Sequence, residues 1–151
     1  MSRQPAASTR AFREPVRLTA AVVGAVFLVV GILGFVPGVT TSYDDLMFAG
    51  HESGAELLGI FQVSILHNIV HLLFGVAGLV LARMAGTARA YLLGGGVIYL
   101  LLWIYGLVVD KPSQANFVPL NTADDWLHLG LGIAMVGLGL LLSPRSRPAR
   151  A

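Results

Sequence analysis

The sequence predicts an all-α protein: a four-helix transmembrane bundle whose halves read as two repeated helical hairpins. Three observations carry that expectation. Of 151 residues, 56% are hydrophobic and 12% charged, against about 25% charged in a soluble domain. The apolar residues gather into four runs divided by polar, Pro- and Gly-containing connections. Each run approaches the length a helix needs to cross ~30 Å of hydrocarbon at ~1.5 Å per residue. Finally, the basic residues collect on alternate connections, the pattern of a multi-pass protein.

The totals also exclude classes. A mean hydropathy of +0.76 leaves no room for a separate soluble domain. The formal charge of +2 does not argue for nucleic acid, because the arginines sit at the two ends and in one turn, where topology accounts for them. Without cysteine there is no disulfide, thiolate ligand or thiol chemistry.

Residues 1–17 lack apolar periodicity and read as a flexible tail, 18–142 as the membrane domain, and 143–151 as a basic tail. Leu18 to Val36 is the first span, too long for a signal peptide and without a small-residue cleavage site before Pro37-Gly38, so it is expected to stay uncleaved. After a polar loop, Ser53-Gly54-Ala55-Glu56 has the form of a capping box and is expected to open the second helix, which runs to Arg83. The third span is placed from Ala90 to Val109 and the fourth from Ala123 to Leu142, with Pro112 and Pro119 in the loop between them. A second capping box is read at Thr122-Ala123-Asp124-Asp125.

Arg3, Arg10, Arg13 and Arg17 precede the first span, Arg83 and Arg89 flank the central turn, and Arg145, Arg147 and Arg150 follow the fourth. The other two loops hold Lys111 between them. The positive-inside rule is expected to place both termini and the central turn in the cytoplasm. Trp103, Tyr105 and Trp126 fall near the outer interface, where aromatic anchors belong.

The second run contains the polar residues that demand a reason. Ser64, His67, His71, Gly75, Gly78 and Ala82 recur in steps of three and four, so they form one helical stripe, with Asn68 beside it. Polar groups at membrane depth must face a partner or a cavity, so the stripe is expected to point inward. The segment from His67 to Ala77 also aligns without gaps on Asp124 to Ala134, matching His71 to His128, Gly75 to Gly132 and His67 to Asp124. His67 and His128 stand at similar distances ahead of Arg83 and Arg145, which puts them at one depth.

His67, His71, His128 and Asp124 are therefore the candidate metal ligands, since histidines at i and i+4 chelate well and His₃Asp suits zinc or another divalent ion. Haem held by His71 and His128, and proton or ion handling, are alternative uses of the same cluster. The bland alternative is an interhelical polar network of these groups with Ser64, Asn68, Asn121, Asp125 and Tyr105, each bond worth roughly 0.6–2 kcal/mol in membranes. Gly24, Phe27, Gly31 and Gly34 on the first span, and Gly132, Met135 and Gly139 on the fourth, read as close-packing stripes.

Leu66-His67-Asn68-Ile69-Val70-His71, the Gly34-Phe35-Val36-Pro37-Gly38 end of the first span, and Pro119-Leu120-Asn121 followed by Asp124 and Trp126-Leu127-His128 resemble a bacterial family of small four-span membrane proteins catalogued as a domain of unknown function. The resemblance runs from about Leu18 to Leu142 and implies the four-helix fold, with these polar positions as the family's characteristic ones. It implies Asn at the position of Asp125, so no catalytic role passes to that carboxylate. The functional expectation is a non-enzymatic accessory or assembly protein of a larger membrane complex, embedded in the lipid bilayer. A redox or transport protein is the alternative.

Overall fold

A computed structural model of the chain describes residues 14–142. Residues 1–13 and 143–151 lie outside the described residues, and with them most of both predicted tails, including Arg3, Arg10, Arg13, Arg145, Arg147 and Arg150. The described residues are mostly helical, with four α-helices among them: α1 (Pro15–Leu33), α2 (Ile65–Leu81), α3 (Ala85–Val108) and α4 (Thr122–Leu141). Three of them, α1, α3 and α4, are long and apolar enough to cross a membrane. The fourth, α2, is equally apolar but has 17 residues, which spans roughly 26 Å at ~1.5 Å per residue.

The helix boundaries follow from local chemistry. Pro15 opens α1 at a position where its missing N–H costs nothing. Ser64 caps α2 by accepting from the His67 amide at 3.1 Å. Asn121 caps α4 by accepting from the Asp124 amide, and Asp124 returns a carboxylate oxygen to the Asn121 amide, both at 3.0 Å. The capping box of α4 therefore starts one residue earlier than the Thr122-based reading.

The expected capping box at Ser53 is a correction of larger scale. Ser53 and Glu56 do not begin a helix. Glu56–Leu57 is a strand, β2, paired antiparallel with β1 (Thr40–Thr41) and β3 (Phe61–Gln62). Leu58 and Gly59 turn the β2–β3 hairpin with positive φ. The Ser53 hydroxyl donates to the Val63 carbonyl at 2.6 Å and accepts from the Met47 amide. Ala55, Leu57 and Val63 then pack against Val30 and Leu33 of α1. The hairpin becomes a lid over one end of the helices, and α2 begins only after it.

The closest helix packing joins α1 to α2 and α3 to α4. Glycine makes both approaches feasible. A methyl group on Gly24 would lie 2.9 Å from the Gly75 carbonyl oxygen, and one on Gly75 2.7 Å from the Leu28 amide nitrogen. In the second pair, a methyl on Gly96 would lie 3.0 Å from the Gly132 carbonyl oxygen, and one on Gly132 3.0 Å from the Leu100 amide nitrogen. Backbones this close gain dispersion contacts where lipid offers no hydrophobic driving force between helices. Between the pairs lie larger side chains: Phe27, Tyr91, Leu92, Tyr99 and Met135.

Candidate functional site

The inward stripe of α2 is inward. Ser64, His67, His71, Gly75, Gly78 and Ala82 are all buried, as is Asn68. With α2 starting at Ile65, however, His67 stands in its first turn, and only His71 lies well inside. The His67 and His71 rings are neighbours, 4.5 Å between centroids, and His128 of α4 reaches to 6.5 Å from His67. The three residues are 8%, 9% and 2% exposed. The Nδ1 atom of each is buried without a hydrogen-bond partner, an arrangement that costs roughly 1–3 kcal/mol per group if nothing answers it.

Two aromatic rings complete the cluster. Phe27 of α1 and Tyr99 of α3 stack with centroids 5.4 Å apart and planes at 22°. Phe27 lies 5.7 Å from His71 within the first pair, and Tyr99 lies 5.2 Å from His128 within the second. Neither ring belonged to the set expected from sequence. The signal was present: Phe27 follows Gly24 as Tyr99 follows Gly96, and both glycines contact the second helix of their pair.

The remaining polar candidates turn out to have separate work. Asn68 donates from Nδ2 to the Gly34 carbonyl at the end of α1, 2.9 Å away. A side chain on Gly34 would overlap its amide. Asp125 meets the Lys111 ammonium with both oxygens at 2.8 Å and lies so close to Gly106 that a side chain there would overlap it. Asp124 Oδ2 accepts from the Asn121 and Gln62 amides, at 3.0 and 3.1 Å, which ties the lid hairpin to α4. Asn121 also donates to the Ile60 carbonyl. Tyr105 is apart from the cluster; its hydroxyl donates to the Ala115 carbonyl and its ring faces Phe117. Among the described residues, no three His, Cys, Asp or Glu side chains are arranged to hold a metal ion.

Two cavities meet at the imidazoles. One, of about 230 Å³, opens between α1 and α4 beneath the lid and is lined by Val26, Val30, Leu57, Phe61, Leu127 and Leu131. The other, of about 160 Å³, opens between α2 and α3 and is lined by Leu66, Val70, Leu102, Phe117 and Val118. His67, His71, Tyr99 and His128 line both. Each neutral imidazole offers one donor and one acceptor, so the centre can hydrogen-bond a polar group that enters from either side, in surroundings that are mostly apolar.

No curated protein and no solved structure matches the chain. A family model does, over residues 17–141, a stretch holding all four described helices apart from Pro15 and Val16 at the start of α1. The chain therefore belongs to the family described as Domain of unknown function (DUF4383).

Proposed function

We propose that this protein is a small four-span bundle of the bacterial inner membrane, both termini cytoplasmic, that binds a ligand at its central imidazoles and serves a larger membrane complex as a non-enzymatic accessory. The observation that carries it is the meeting of His67, His71 and His128, buried at the junction of the helix pairs with partnerless Nδ1 atoms. A purely structural network satisfies its own donors and acceptors; this one leaves three nitrogens open beside two cavities.

The topology has support of its own. Arg17 bonds the Ala82 carbonyl at the end of α2, and Arg89 bonds the Gly139 carbonyl near the end of α4, so both arginines stand at one end of the molecule. The lid hairpin and Lys111 stand at the other. Two repeated hairpins are part of the proposal. Contacts in one pair recur in the other, with one constant offset from α1 to α3 and another from α2 to α4: Arg17–Ala82 with Arg89–Gly139, Gly24–Gly75 with Gly96–Gly132, Phe27–His71 with Tyr99–His128, and Gly34–Asn68 with Gly106–Asp125.

A divalent metal on the imidazoles is the second reading, favoured by the close i, i+4 pair His67 and His71. Purified protein tests both readings through elemental analysis, an absorption spectrum and mass spectrometry of retained small molecules. The expected result is a stoichiometric ligand, lost in His71→Ala and His128→Ala while the helical circular dichroism persists. Retention of every bound species by both variants overturns the site.

A further inference from the structure

The ligand class can be argued from what lines the cavities and where they open. Among the described residues, neither cavity is lined by Lys or Arg, and the larger is lined by the Asp124 carboxylate. An anionic headgroup would find no counter-charge there and one carboxylate against it. The walls are otherwise aliphatic and aromatic apart from Ser64, whose hydroxyl caps α2, so polar bonds must come from the imidazoles, the Tyr99 and Ser64 hydroxyls or the carboxylate.

The openings point to the route. Val26 and Leu127 at one mouth, and Val70 at the other, are exposed apolar residues on the flanks of apolar helices. Such flanks face acyl chains when the helices span a bilayer. At about 230 and 160 Å³ the cavities are smaller than the ~300–1,000 Å³ that encloses a drug-sized ligand. They fit a head with its tail left outside between the helices and the lipid.

Resting on the reading of the imidazole cluster as a binding site, we propose that the cavities admit, laterally from the bilayer, the uncharged carbonyl- or hydroxyl-bearing head of a lipid amphiphile. His71 and His128 hydrogen-bond that head, and the Phe27–Tyr99 stack forms an apolar surface for it. Two sources share this chemistry: an isoprenoid quinone, with carbonyl acceptors on a flat ring, and a diacylglycerol, with ester carbonyls and a hydroxyl.

Native mass spectrometry of the detergent-purified full chain tests the proposal, with decylubiquinone, dioleoylglycerol and dioleoylphosphatidylglycerol added separately. One of the two neutral lipids is expected to give a one-to-one adduct, and which one does so identifies the source. The anionic phospholipid is expected to bind at least tenfold more weakly. His71→Leu with His128→Leu should weaken the adduct about tenfold or more, the scale of losing one or two net hydrogen bonds. Should that double variant fail to fold, Val26→Trp and Val70→Trp fill the two mouths from exposed positions and leave the imidazoles intact. Each should reduce binding, and together they should abolish it. Preference for the anionic lipid, or undiminished binding with both mouths filled, overturns the proposal. Stoichiometric metal without any lipid adduct also overturns it, yet leaves the imidazole site standing. Neither ligand, with unchanged behaviour of the His variants, removes the site itself.

Discussion

The α1/α2 and α3/α4 pairs use matching contacts for scaffolding and different residues for chemistry. Glycines at Gly24 and Gly75, and at Gly96 and Gly132, set the same close approach, and an arginine bonds a carbonyl near the end of the second helix in each. At the other end the pairs diverge. Asn68 in the first is neutral and holds the Gly34 carbonyl; Asp125 in the second is charged and is answered by Lys111. Where the first pair has the His67 imidazole with its Nδ1 unpartnered, the second has the Asp124 carboxylate committed to a cap. The close-packing contacts are alike in the two pairs, whereas the polar positions differ: one pair gives two imidazoles to the centre, the other gives one and uses its acids for structure.

Exchanging the residues that differ should break the comparison most strongly. Asn68→Asp puts a carboxylate at a fully buried place beside a carbonyl acceptor, without the lysine that Asp125 has. It is expected to destabilise by about 3–5 kcal/mol, the cost of an uncompensated buried charge, measured by thermal unfolding in detergent. Lys111→Met strands Asp125 instead, and because Lys111 is 32% exposed the loss should be smaller, about 2–3 kcal/mol. Adding Asp125→Asn to that variant restores the neutral arrangement of the first pair and should recover most of the loss. No recovery would show that the two polar places are not equivalent.

Smaller changes sharpen the scaffold side. Gly75→Ala and Gly132→Ala each force a methyl group against backbone and a leucine, for about 1–3 kcal/mol of overpacking. The two losses should be similar in unfolding experiments; strong sensitivity in one pair alone would separate their packing. The least effect is expected from Arg89→Gln, about 0.5–1.5 kcal/mol for one bond to the Gly139 carbonyl. Its readout is the midpoint of unfolding compared with that of His128→Ala.

The helices were legible because long apolar runs leave a strong mark: each predicted span overlaps an observed helix, displaced by a few residues at its ends except at the start of α2. The stripe from Ser64 to Ala82 was legible for the same reason, since three- and four-residue spacing reports one face whatever surrounds it. The start of α2 was not. Ser53 and Glu56 satisfy the pattern of a capping box, but strands of two residues have no period to compete with it, and only the long-range pairing to Phe61–Gln62 decides the outcome. The pairing of Asp125 with Lys111 was hidden as well, because the loop that returns the lysine leaves no trace in local spacing. Likewise the alignment of His71 with His128 stood in the sequence, whereas Phe27 and Tyr99 match in shape and not in identity.

One consequence follows from how the helices are fastened. In the first pair, Arg17 ties one end and Asn68 the other, so α1 and α2 are fastened to each other at both ends. Across the seam to α3, the Tyr91 hydroxyl reaches the Phe74 carbonyl, and the rest of the meeting surface is largely ring against ring. Rings slide over one another at little cost, as bonded carbonyls do not. A rocking of one pair on the other would turn about the stacked Phe27 and Tyr99, and it would have to break the Gln62–Asp124 and Asn121–Ile60 bonds that tie the lid to α4.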